Sequence, residues 1–188
     1  MKKFPLVLSL IATISFAAMA QKEAPAPALQ LPVDSITKLI TYERVVQVTG
    51  TKAELLYKRA VGWFRTYYKN PSEIIRENDS IKFKITGKPR FKIFNPPDKE
   101  GTKTDAGLIQ YTITVTAKDG RFKYELTEFN WKQQSYFASE RWMDKKSQSY
   151  NSVYNEYLKQ LDQYAKELIR NLEDALLHDK PVKDKDGW

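Results

Sequence analysis

The sequence predicts an α+β fold: a curved antiparallel sheet with both helices on one face, in the order strand, helix, four strands, helix. Three observations predict it. Ile109 to Trp131 alternates apolar and polar residues along two arms joined by Asp119-Gly120, the pattern of a hairpin with one buried face. Leu56, Ala60, Trp63, Phe64 and Tyr67 recur at helical spacing, as do Tyr150, Tyr154, Tyr157, Leu161, Tyr164 and Leu168. A sheet with one apolar face has to be covered, and these two amphipathic stretches are the available covers.

The elements follow in order. Residues 1–20 form a secretory signal: Lys2 and Lys3, an apolar core from Leu6 to Ala18, and the small-residue site Ala18-Met19-Ala20. That core falls short of the roughly 20 residues a membrane span needs. Residues 21–37, with Ala-Pro-Ala-Pro, read as a flexible leader, and a single domain is expected over 38–177. Leu39 to Thr49, rich in Ile, Tyr, Val and Thr, is the first strand. Thr51 with Glu54 three residues on makes a capping box for the first helix, and Pro71 stops that helix. Two short strands follow, Glu73 to Glu77 and Ser80 to Thr86, the second turning Ile81, Phe83 and Ile85 to one face. Phe91 to Phe94 either extends it or forms an edge segment, and Asn95 to Gly107 is a loop.

In the hairpin, Asp119-Gly120 suits a type I′ turn, which sets Ala117 opposite Phe122, Val115 opposite Tyr124 and Ile113 opposite Leu126. Residues 132–147 follow no clean period, although Phe137, Trp142 and Met143 are apolar enough to dock. The last helix covers about 149–177, long enough that its final turns either project from the domain or meet a partner. The charged tail, 178–188, with Pro181 and Gly187, is expected to be disordered.

The segment from Leu39 to Trp131 resembles a known family. Thr41-Tyr42-Glu43-Arg44-Val45-Val46-Gln47-Val48-Thr49-Gly50 leads into a helix carrying Trp63-Phe64. The Ile81 to Gly87 strand and the Tyr111 to Tyr124 hairpin then follow in that family's order. The family is domain of unknown function 4468, exported bacterial proteins with a TATA-binding-protein-like (TBP-like) fold. The resemblance implies the strand-helix-four-strand-helix order. It brings no established activity and no catalytic residues, and the fold's name does not carry DNA binding with it.

Composition excludes several chemistries. The sole histidine, His178, lies at the start of the tail and no cysteine exists, which removes Ser-His-Asp and Cys-His arrangements, disulfides and a typical zinc site. The seven glycines form no phosphate loop or dinucleotide fingerprint. Beyond Lys2 and Lys3 the net charge is +6, spread along the chain, which fits solubility or weak attraction to anionic surfaces. No cofactor, metal or nucleic-acid partner is expected.

What remains is one carboxylate and an aromatic load. By the hairpin register Glu128 belongs to the apolar column opposite Tyr111, where burial would raise its pKa. The ordinary alternative is a carboxylate at the sheet rim. Asp98, Glu100 and Asp105 share a loop but not the spacing of a calcium site. Aromatics of the first helix facing tyrosines of the last either form plain core or line a pocket for an apolar or sugar-like ligand. The pocket reading names Tyr111, Glu128, Trp63, Tyr67, Tyr154 and Tyr157. The functional expectation is an exported, non-enzymatic binding or accessory module, periplasmic or secreted. It would be a monomer or weak oligomer, with a small ligand or an envelope protein as partner. The alternative is an interaction module that pairs through its long C-terminal helix.

Overall fold

The computed structural model describes residues 29–132 and 135–178; the expected signal, the expected leader to position 28 and the expected disordered tail from 179 on lie outside them. Strand β1 (Tyr42–Gln47) leads to helix α1 (Ala53–Tyr67) and the single turn α2 (Pro71–Ile74). Strands β2 (Ile75–Asp79), β3 (Lys84–Gly87) and β4 (Arg90–Phe94) precede the hairpin of β5 (Asp105–Lys118) and β6 (Arg121–Lys132). Strand β7 (Tyr136–Ala138), a 3-10 turn (Ser139–Met143) and helix α3 (Tyr154–Leu177) complete the described chain.

The strands form one antiparallel sheet in the order β1-β6-β5-β3-β2. β4 continues beyond β3 along β5, and β7 continues beyond β1 along β6, so the long hairpin is the spine of the sheet. The expected β-α-β4-α order survives in β1, α1, β2, β3, β5, β6 and α3, with β4 and β7 as short additions. Both helices cover the face carrying Ile85, Ile109, Ile113, Val115, Phe122 and Leu126, all 0–1% exposed. The other face carries Thr86, Thr112, Thr114, Thr116, Thr127, Glu43, Lys123 and Glu125, none of them buried.

The hairpin register is Ala117↔Phe122, Val115↔Tyr124 and Ile113↔Leu126, as alternation requires. The turn differs from expectation. Only Gly120 takes a positive φ (74°), whereas type I′ needs one at Asp119 as well. The reason is a tertiary contact: the Ala53 N–H donates to Asp119 Oδ1 (2.8 Å), and Lys52 Nζ lies 3.1 Å from Oδ2. Asp119 therefore caps α1 from the hairpin. Thr51 does not: its N–H donates to Val48 O, its carbonyl accepts from Gly120 N, and Lys52 occupies the cap position. Glu54 pairs with Lys58 (2.7 Å).

Farther along, the pairing slips between Gln110 and Thr112, and Tyr111 is opposed by two residues, Glu128 and Phe129. Glu128 takes a left-handed φ of 55°. Without this bulge, strict alternation after Leu126 would turn Phe129 and Trp131 to water. Left-handed geometry costs a non-glycine residue about 1–2 kcal/mol, against about 1.5–3 kcal/mol for each large apolar side chain buried. Burial wins, and Phe129 is 0% exposed.

Helix α3 is packed over its whole length. Leu161, Leu168, Leu172 and Leu176 are all 0% exposed, Trp63 Nε1 donates to Asn171 Oδ1 (2.8 Å), and Arg59 Nη1 donates to Leu176 O (2.9 Å). Its final turns neither project nor stand open to a partner; they lie against α1. This removes the observation behind pairing through that helix.

Three local expectations also change. Ile81 is 89% exposed, because Asp79 Oδ1 accepts the N–H groups of Ile81 and Lys82 and folds 80–83 into a turn. The leader is already structured before 38: Val33 bridges Ile40, and Asp34 Oδ1 accepts from Ile36 N and Thr37 N. Within 135–143, Trp142 docks at 3% exposure while Phe137 and Met143 stay 38% and 39% exposed.

Candidate functional site

The site grows from the way α1 ends. Pro71 disfavours helical geometry at Asn70, and the helix closes at Tyr68, whose extended backbone donates its N–H to Phe64 O. Two neighbouring tyrosines thereby part company. Tyr68 drops into the core at 8% exposure and Tyr67 stays half-buried at the rim, its ring stacked on Trp63 (4.7 Å, 21°).

The opposite wall is the joint between β3 and β4. Gly87 runs so close to α1 that a Cβ there would lie 2.8 Å from Phe64 Cε1. Lys88 N donates to Ile74 O (2.9 Å) and Tyr111 N to Pro89 O (3.2 Å), which fixes the joint against α2 and the sheet. From above, Tyr164 of α3 stacks on Phe91 (3.9 Å, 10°).

These elements enclose a cleft of about 500 Å³. At its base the hydroxyl of Tyr111 lies 3.1 Å from those of Tyr68 and Tyr164, and Tyr67 lies beside Tyr164. Burial, which disfavours the phenolate, holds all four tyrosines above their ordinary pKa. They are neutral hydrogen-bonding groups at physiological pH. Around the rim stand Lys69, Arg76, Lys88 and Arg90, with Glu73 as the acidic member.

The residues named from sequence divide among three places. Tyr67 lines the cleft, Tyr111 lies buried beneath it against Tyr68 and Tyr164, and Trp63 is a buried support behind Tyr67. Tyr154 and Tyr157, about two to three turns before Tyr164 on α3, join a second aromatic group with Trp131 and Trp142. Tyr154 stacks on Trp142 (5.6 Å, 20°), and the Tyr157 hydroxyl donates to Asn95 Oδ1 (2.5 Å).

Glu128 is on the opposite face of the sheet. The bulge turns it away from the tyrosines, and it accepts from Thr112 Oγ1 (2.6 Å) and pairs with Lys88 Nζ (3.3 Å). The Thr112 hydroxyl and then Lys88 lower its pKa, the reverse of the shift expected from burial. An acid held ionised by a lysine on a solvated face has no reason to serve as a proton donor. Phe129 takes the place in the apolar column that the sequence assigned to Glu128, stacking on Tyr111 (5.6 Å, 18°).

The loop carboxylates are engaged locally. Asp98 Oδ1 accepts from Glu100 N and Thr102 N, and Asp105 pairs with Lys92 (3.0 Å). Among the described residues no group of three or more His, Asp or Glu side chains is placed to hold a metal ion. No described helix is long and apolar enough to cross a membrane.

The sequence reading missed the basic rim. Lys69, Arg76 and Arg90 lie on three different segments, and only the fold brings them to one cleft. Pro89, beside the Gly87 close approach, was the available signal that this joint is fixed.

With this geometry in view, the comparisons decide the relationship. Residues 42–132 match the family model described as domain of unknown function (DUF4468) with TBP-like fold. That segment belongs to the DUF4468 family. A DUF4468 family protein from Bacteroides ovatus aligns over 80% of this chain and 92% of its own, with a TM-score of 0.61 and 19% identity. A TBP-like protein from Parabacteroides distasonis aligns over 73% and 92%, with a TM-score of 0.59 and 15% identity. At such identities the likeness is one of fold. No curated protein matches the sequence. The DUF4468 match ends at Lys132, so Tyr164, which closes the cleft, comes from chain beyond it.

Proposed function

We propose that this DUF4468 protein is an exported, non-enzymatic binding module of the bacterial envelope, holding a small ring-bearing or sugar-like ligand in the cleft between α1, the β3–β4 joint and α3. The observation that carries the proposal is the cleft itself: about 500 Å³, lined by Tyr67, Tyr68 and Tyr164. That volume lies in the range of small-molecule sites, and tyrosine offers both an apolar ring and a polar tip to such a ligand. Export rests on Lys2, Lys3, the apolar core and the Ala18-Met19-Ala20 site. The absence of a second histidine and of any cysteine supports binding over turnover.

Native mass spectrometry of the protein purified from its source tests this. The expected spectrum shows a chain beginning at Gln21 with a small molecule retained, and loss of that molecule in Tyr67→Ala. A ligand-free spectrum, together with no thermal shift across a saccharide panel, would sink the proposal.

A further inference from the structure

We infer that the ligand bound in this cleft is an anionic saccharide, a sugar ring bearing a carboxylate or a phosphate. This rests on the proposed binding function and deepens it. Among the described residues, the rim cations Lys69, Arg76 and Arg90 have no ion-pair partner, whereas Lys88 is neutralised by Glu128. Set against Glu73, the three unpaired cations leave a surplus of two positive charges at one mouth. Most other lysines of the sheet are paired: Lys84 with Glu77, Lys92 with Asp105, Lys123 with Glu43. Unneutralised cations gathered at a concave site raise the local concentration of anions.

The chemistry of the floor selects the rest of the ligand. The cleft tyrosines present neutral hydroxyls, able to donate to an anion and to exchange hydrogen bonds with sugar hydroxyls. A bare inorganic anion would leave the aromatic part of the cleft unfilled, and a wholly apolar ligand would leave the guanidinium and ammonium groups without partners. A ring with hydroxyls and one acidic group satisfies both. The guanidiniums of Arg76 and Arg90 suit carboxylate or phosphate by their forked donors.

The test is isothermal titration of the purified protein with D-galacturonate, D-galactose 6-phosphate and D-galactose, at low and high salt. The acidic sugars are expected to bind at least about tenfold more tightly than galactose, as a charge-assisted contact warrants. That preference should shrink in high salt, where exposed charges are screened. The double variant Lys69→Ala, Arg90→Ala alters exposed side chains only, and it should abolish the preference for the acidic sugars while leaving the melting temperature unchanged. Comparing the phosphate with the carboxylate identifies the source of the charge. Equal binding of all three sugars, or a preference that survives the double variant, overturns the anionic inference and leaves the binding function standing. Failure of all three to bind overturns it as well, and the native mass spectrum then decides separately whether the module holds any ligand.

Discussion

Replacing Tyr111 with Phe removes a single oxygen from the base of the cleft. The side chain is 1% exposed, and its ring would keep its stack on Phe129. Its hydroxyl lies 3.1 Å from both Tyr68 and Tyr164, so the change takes a neighbour from each of them, and Tyr164 keeps Tyr67 beside it. They are not equivalent. Tyr164 is partly exposed in the cleft and turns to water, whereas Tyr68 is 8% exposed and has no other hydrogen-bond partner among the described residues. A buried hydroxyl stranded in this way costs about 1–3 kcal/mol. Tyr111→Phe should therefore lower the unfolding free energy by about that amount, which for a domain of this size is about 2–4 °C in melting temperature per kcal/mol. Urea unfolding followed by tryptophan fluorescence measures it. The informative companion is the double variant Tyr68→Phe, Tyr111→Phe. With both oxygens removed nothing is stranded, so the double variant should be no less stable than Tyr111→Phe alone. If Tyr111→Phe is neutral, or if the two single changes simply add, the hydroxyl chain does not support the core as described.

Further expectations concern pH, the helix cap and the β3–β4 joint. Burial raises the pKa of Tyr42, Tyr68, Tyr111 and Tyr164 in the folded state and pushes Tyr124 up to about 12. In the unfolded chain tyrosine ionises near pH 10. The stabilisation is thus complete below about pH 10 and is lost as pH rises, by about 1.4 kcal/mol per unit for each tyrosine still protonated in the fold. Melting temperature should be flat up to about pH 9 and fall steeply beyond it; a flat profile through pH 12 would refute the burial of these hydroxyls. Asp119→Ala should lower the urea midpoint clearly while Thr51→Ala leaves it in place, because Asp119 caps Ala53 and the Thr51 side chain caps nothing. The opposite order would return the cap to the capping box. Gly87→Ala forces a methyl to within 2.8 Å of Phe64 Cε1 and 3.1 Å of Ile74 Cγ2, a clash worth about 1–3 kcal/mol of overpacking; circular dichroism melts that match the parent would show that the joint yields.

Local patterns alone were enough for the spine of this molecule. Period-two alternation with Asp119-Gly120 between the arms determined the hairpin register, because slipping by one residue exposes a whole apolar column. Helical spacing determined α1 and α3 and the faces they bury, and those faces required both helices on one side of the sheet. Tertiary structure decided the features that depend on groups distant in the chain. Asp119 caps a helix 66 positions before it, so the turn gave up the geometry its own sequence favours. Ile81 went to solvent because Asp79 closed a tighter turn than alternation suggested. The rim cations met in one cleft only because β2 and β4 return to the end of α1.

Glu128 lies on the border between the two. Thr127-Glu128 followed by Phe129 and Trp131 is a parity change visible in the sequence, two polar residues where alternation allows one. What the sequence did not show is that the sheet accommodates this change with a bulge. Burying Phe129 and Trp131 against the helices outweighs the cost of one left-handed residue, and only the packed core sets that balance.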